Sequence, residues 1–154
     1  MNFALRPCRP SDFEMLYRID RACYEPGIAY NRRTLRAFIA MRESRCWVAC
    51  MEEEIVGFLV AYFDKQIGHL ITIDVVESVR RHGAGSALLE LAEREMARSG
   101  VKWVELETAT NNHAAIAFWN KHGYRIRGIH PGYYMGRIDA YLMAKRIEPA
   151  APGD

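Results

Sequence analysis

A run of aliphatic and β-branched residues, Leu70 to Val76, leads through Arg80-Arg81-His82 into two closely spaced glycines, Gly83 and Gly85, and then into a stretch with helical apolar spacing. No other feature limits the fold as much, because it demands a buried strand, a sharp turn and a helix in immediate succession. From Gly83 onward, Ala84, Ala87, Leu88, Leu91, Ala92 and Met96 fall on one helical face, while Glu90, Glu93, Arg94 and Arg98 cover the other. Gly100 marks the end of that helix. The turn suits a phosphate: glycine lets backbone approach a ligand closely, and the helix N-terminus offers unpaired N–H donors and the positive end of its dipole. Arg80, Arg81 and His82 add positive charge beside it. A plain strand-to-helix turn would read the same way, so the pattern alone leaves both open. Two common phosphate motifs do not fit: the turn has neither the Lys-Ser/Thr of a P-loop nor the third glycine of the dinucleotide fingerprint.

The rest of the chain supplies partners for this unit. Phe3 to Arg6 reads as a short strand, and Ser11-Asp12 as the cap of a helix carrying Phe13, Leu16, Tyr17 and Ile19 at helical spacing. After Pro26-Gly27 a second helix is predicted from about Arg32 to Met41, with Leu35, Phe38 and Ile39 as its apolar stripe. Trp47 to Met51 and Ile55 to Phe63 form a hairpin around Glu52-Glu53-Glu54. Beyond the glycine turn, Trp103 to Thr108 is a strand, Asn111 or Asn112 caps the helix Ala114 to His122, and Gly123 ends it before strands at Tyr124 to Arg127 and Ala140 to Ile147. Such an order implies a mixed sheet with helices on its faces, an α/β or α+β layer architecture. Residues 1–148 read as one domain and 149–154 as a flexible tail.

Composition narrows the function. Half of the 154 residues are hydrophobic, enough for a core without disulfides or structural metal, and a net charge of +2 gives no broad footprint for nucleic acid or membrane. The longest apolar run, Ile55 to Phe63, falls far short of the ~20 residues of a membrane-spanning helix. Arg6, Pro7, Arg9 and Pro10 interrupt any signal-peptide core, so a cytoplasmic location is expected. Cys8, Cys23, Cys46 and Cys50 have no zinc-type spacing and read as reduced thiols, with no metal site.

Two motifs carry a resemblance. Arg80-Arg81-His82-Gly83-Ala84-Gly85 resembles the acetyl-coenzyme A pyrophosphate loop, Arg/Gln-x-x-Gly-x-Gly/Ala, of the GNAT acetyltransferase superfamily. Asn112-His113-Ala114-Ala115-Ile116-Ala117-Phe118-Trp119-Asn120-Lys121-His122-Gly123-Tyr124 is similar to the same family's Asn-x-x-Ala-Ile-x-Leu-Tyr-x-Lys-x-Gly-Phe segment. Leu106-Glu107-Thr108, Tyr133-Tyr134 and the Tyr24 to Tyr30 loop resemble features of RimI-type protein N-terminal acetyltransferases. The resemblance implies a GNAT fold: a mixed, mostly antiparallel central sheet of about seven strands flanked by about four helices. It implies an acetyl-CoA-dependent N-acetyltransferase in which an amine, in the first place a protein or peptide N-terminal α-amine, attacks the thioester directly. A small-molecule amine, a lysine side chain, or a catalytically weakened CoA-binding module are the alternatives. A monomer or a homodimer would fit equally.

The residue roles that follow are expectations. Alternation sends Val104 and Leu106 to one side of their strand and Glu105 and Glu107 to the other, and the resemblance makes Glu107 the base. His69 and Asp74 are reserve bases. The cofactor would lie against the backbone of Ile73, Asp74 and Val75, the turn residues Arg80, Arg81, His82, Gly83, Ala84, Gly85 and Ser86, and Asn112 and Trp119. Tyr30, Tyr133 and Tyr134 would contact the amine. Trp119 stands where the family commonly places a tyrosine acid, and an indole N–H is no proton donor at neutral pH, so Tyr134 or Tyr133 is the candidate replacement, with water as the other route to protonate the thiolate.

Overall fold

The computed structural model describes residues 2–148; the expected tail at 149–154 lies outside them. Seven strands form one sheet: β1 (Ala4–Pro7), β2 (Ser44–Met51), β3 (Glu54–Asp64), β4 (Ile67–Val75), β5 (Trp103–Ala109), β6 (Arg125–Tyr134) and β7 (Ile138–Arg146). Four α-helices cover it: α1 (Phe13–Cys23), α2 (Arg32–Ala40), α3 (Ala84–Arg98) and α4 (His113–Lys121). The sheet order is β1-β2-β3-β4-β5-β7-β6. Every pairing is antiparallel except β4 with β5. The last strand is therefore inserted between β5 and β6, which leaves β6 at an edge.

Each face of the sheet has its own core. On the α3 and α4 side, Leu59, Ala61, Leu88, Leu89, Met96, Val104, Leu106 and Tyr124 pack together. On the α1 and α2 side, Leu16, Ile19 and Leu35 meet Val48, Phe58 and Val60. Truncating any such fully buried leucine costs about 2–5 kcal/mol, so both helix pairs are fastened by ordinary side-chain burial. Among the described residues no helix is long and apolar enough to cross a membrane.

Several boundaries differ from the sequence reading for local reasons. Asp12 does not cap α1 with its side chain. Its carboxylate is bidentate to Arg6 at 2.8 and 3.0 Å and accepts the Arg9 N–H at 2.7 Å, tying the start of α1 to β1. Asn31 caps α2 and Asn112 caps α4, each through Oδ1. β6 extends well past Arg127 to Tyr134, although it contains Pro131, because at a sheet edge a missing N–H is tolerated and the ladder shifts register between His130 and Tyr134.

Candidate active site

The cleft originates in strand pairing that stops early. β4 and β5 are paired only from Ile67 to His69 against Trp103 to Glu105. Beyond that fork the strands diverge, and a cleft of about 1020 Å³ opens between them, reaching from the glycine turn to the Tyr24–Tyr30 loop. A bulge prepares the fork: Val60 pairs with Thr72 and Ala61 with Leu70, so Ile71 is the extra residue. Leu70 keeps to the α3 side, while Thr72 and Asp74, opposite Val60 and Phe58, turn toward α1.

The bulge decides which parts of β4 can meet a ligand. Tyr24 donates its hydroxyl to Ile73 O at 3.1 Å, and Arg80 Nε donates to Val75 O at 3.0 Å. Those carbonyls point away from β3. A strand residue in an antiparallel ladder turns its N–H and C=O to the same edge, so the N–H groups of Ile73 and Val75 face the opening too. Asp74 is the exception to the expected trio: its backbone belongs to the β3 side, its side chain is buried, and it does not line the cleft. As a reserve base it is misplaced.

At the far end, Gly83 opens α3 with φ +94°, a left-handed conformation that side chains rarely adopt. Gly85 faces Phe118 so closely that an added Cβ would lie 3.3 Å from the ring. Arg81, Gly83, Ala84, Gly85 and Ser86 line the cleft with Asn112 and the exposed Lys121. His82 is exposed and stands outside the lining, so its predicted contact is not part of this wall. Arg80 also lines the cleft, but its guanidinium bridges Val75 O and Cys23 Sγ and so staples the turn to β4. Trp119 is 6% exposed, packed edge-on against Phe118 and Tyr124. It is mainly a core residue with one edge on the cleft.

The other end of the cleft lies beside the fork. Glu107 lines the cleft on the α1 side of β5, opposite in parity to buried Val104 and Leu106, and its Oε2 is 2.7 Å from His69 Nε2. His69 stacks on Tyr62 with ring centroids 5.3 Å apart. Tyr30 and Tyr134 line the same region. Burial, then the neighbouring Tyr133, then Glu107 push the Tyr134 hydroxyl well above its ordinary range. Tyr30 is raised by burial and by both hairpin tyrosines. These phenols stay protonated and can donate hydrogen bonds. Tyr133 is 43% exposed and packs on Tyr134 from outside the lining.

The sequence reading missed several members of this site. Thr72, Thr108, Cys23 and Lys121 line the cleft, and His122 Nε2 is 2.9 Å from Ser86 Oγ at the glycine turn. Lys121 and His122 stood inside the α4 motif, where a cation near the helix end was visible. The loop before α2 and the β6–β7 hairpin also meet, since Gly27, at φ +93°, has no room for a Cβ beside Met135.

A forked sheet, backbone donors on β4 and a helix N-terminus at the end of one continuous cleft are the layout of an acyl-coenzyme A transferase. The chain belongs to the Acetyltransferase (GNAT) family, whose sequence model matches residues 13–124. It is 29% identical over 150 residues to the uncharacterized N-acetyltransferase MJ1530 of Methanocaldococcus jannaschii, covering 97% of this chain and 94% of that protein. An N-alpha-acetyltransferase of Saccharolobus solfataricus is 27% identical, with 95% and 94% covered. Among solved structures, Ard1 from Thermoplasma volcanium superposes with a TM-score of 0.87 at 26% identity, over 96% of this chain and 99% of that one. The ribosomal-protein-S18-alanine N-acetyltransferase of Escherichia coli shares the fold with a TM-score of 0.87 at 24% identity, over 99% of both chains.

Proposed function

We propose that this protein transfers the acetyl group of acetyl-CoA to an amine, and that the amine is the N-terminal α-amine of a protein or peptide. The observation that carries the reading is the Glu107–His69 pair set at the strand fork, where a cofactor arm lying along β4 and an amine entering under the Tyr24–Tyr30 loop would meet. The names borne by the Saccharolobus and Thermoplasma relatives support it.

The residues fit the cofactor. Gly85 leaves a space that a Cβ would fill, the first turn of α3 offers N–H donors, and Arg81 and Lys121 supply charge for phosphates. Ile73 and Val75 offer backbone N–H groups to amide oxygens and to the thioester carbonyl. When bound, acetyl-CoA supplies a thioester reactive toward a neutral amine. The protein's part is to align that amine and take its proton.

A free α-amine titrates near 7.7–8.0, so a large fraction arrives protonated. Glu107 holds the ammonium by charge and receives its proton, with His69 on the other carboxylate oxygen fixing the orientation and sharing the load. Tyr134, kept protonated by its surroundings, can donate a hydrogen bond in the cleft and is the candidate to steady the departing thiolate in place of Trp119. A thiol of ordinary acidity, near 8.5, needs little help to leave. Tyr30 and Tyr133 would border the path of the peptide.

Thiol release measured with acetyl-CoA and a panel of α-amine peptides, ε-amine peptides and polyamines tests the proposal. Release is expected with the α-amine peptides. Tight CoA binding with no release for any amine would instead identify a binding module.

A further inference from the structure

Behind the α1 side of the cleft wall lie two carboxyl groups that this chemistry does not use. Asp20, near the end of α1, is fully buried, and Asp74 in β4 is 1% exposed. Each has one oxygen with an ordinary donor. The Tyr30 N–H donates to Asp20 Oδ2 at 2.7 Å, and the Thr72 hydroxyl donates to Asp74 Oδ1 at 2.6 Å. The second oxygens, Asp20 Oδ1 and Asp74 Oδ2, are buried and receive no hydrogen bond from the described residues. α1 packs directly against β4, which sets the two carboxyl groups together in one buried spot.

No described Lys or Arg forms an ion pair with either group. The ionisable groups facing them are Cys23 and Tyr24 from the end of α1, Tyr30 from the loop and Cys46 from β2, all neutral when protonated. Arg80, which reaches the neighbouring Cys23, is committed to Val75 O and Cys23 Sγ. The Tyr24 hydroxyl beside Asp74 is given to Ile73 O, which leaves two buried acceptors without a donor, a costly arrangement. One proton resolves the conflict, as it does wherever carboxyl groups share a buried site.

We propose that Asp20 and Asp74 hold a single proton between Asp20 Oδ1 and Asp74 Oδ2, and that this acid–carboxylate hydrogen bond clamps the Tyr24–Tyr30 loop to β4. Both aspartates are thereby positioning residues for the amine, which rests on reading that loop as the amine-facing one. Asp74 carries the proton, since burial and the Asp20 carboxylate both raise it well above the carboxylate range. Asp20 then accepts at both oxygens, one from the Asp74 acid and one from the Tyr30 N–H. Tyr24, at one end of the loop, is tied directly to Ile73 O of β4, and Tyr30, at the other, to Asp20 of α1, which the shared proton joins to β4.

Asp74→Asn and Asp74→Ala separate a shared proton from mere bulk. The asparagine N–H can donate to Asp20 Oδ1 while its oxygen accepts from Thr72, so D74N should retain amide-exchange protection at Tyr30 and the wild-type KM for an acceptor peptide. D74A and Asp20→Ala should each lose about tenfold in Tyr30 protection and raise the peptide KM about tenfold, with kcat and acetyl-CoA affinity retained. The wild-type infrared spectrum should contain a protonated-carboxyl stretch that D74N removes. Equal loss in D74N and D74A, unchanged Tyr30 protection in D74A, or absence of that stretch would overturn the proposal. Lack of turnover with any peptide would count against the proposed function, while exchange and infrared readouts still decide the clamp.

Discussion

Glu107 shows how far a single residue can be placed from sequence. Strand alternation put it on the face opposite Val104 and Leu106, and it lies there, but its partner was not legible: His69 sits 38 positions away, and only the β4–β5 pairing brings the two together. Asp74 was misread for a related reason. The bulge at Ile71, which nothing in the strand's composition marks, turns Asp74 toward α1 and away from the cleft. Glu107→Gln should lower kcat/KM by roughly 10²–10⁴ with acetyl-CoA affinity unchanged. Part of that loss should return as pH rises past the amine's own titration near 8, because a neutral amine no longer needs a base. A pH–rate profile in the variant that parallels wild type would remove Glu107 from the role. Tyr134→Phe should lower kcat while leaving binding of acetyl-CoA intact, as measured by calorimetry. An unchanged kcat would mean that the leaving thiolate takes its proton from water.

At the level of elements, the glycine turn was legible because its constraint is local: a strand, a φ that favours glycine and a helix N-terminus follow one another in the chain. The β6–β7 hairpin was legible only in part. Its edge strand carries Pro131 and mostly exposed side chains, so neither alternation nor propensity revealed its length. What makes β6 a strand is its pairing with β7, a nonlocal cause. Gly85→Asp should abolish measurable acetyl-CoA binding, since the side chain would press on Phe118 and bring negative charge to the phosphate end. Gly85→Ala, which asks only a few tenths of an ångström of the Phe118 ring, should bind more weakly than wild type but detectably. Binding of wild-type strength in a folded Gly85→Asp protein would place the phosphates elsewhere.

For the whole molecule, two cores on opposite faces of one sheet hold the fork open: α3 and α4 support the end at the glycine turn, proposed for the cofactor, while α1, α2 and their loop support the end proposed for the amine. The second assembly is tied to the sheet at its start by Arg6–Asp12 as well as by burial. The Arg6 hydrogen bonds hold the Asp12 carboxyl below its ordinary range. Its stabilisation is therefore full above the unfolded value near 4 and fades as pH falls through the lower folded value. Asp12→Asn should lower Tm by roughly 2–4 °C at neutral pH, a gap that closes as pH falls through the lowered folded value. A constant gap across that range would show that the loss is one of packing. The joining of both ends at Glu107 is tested most directly by one peptide bearing a free α-amine and an internal lysine. After incubation with acetyl-CoA, fragment-ion mass spectrometry locates the acetyl group. The account predicts acetylation of the α-amine, strongly reduced in Glu107→Gln; acetylation confined to the lysine, or none despite tight acetyl-CoA binding, would contradict it.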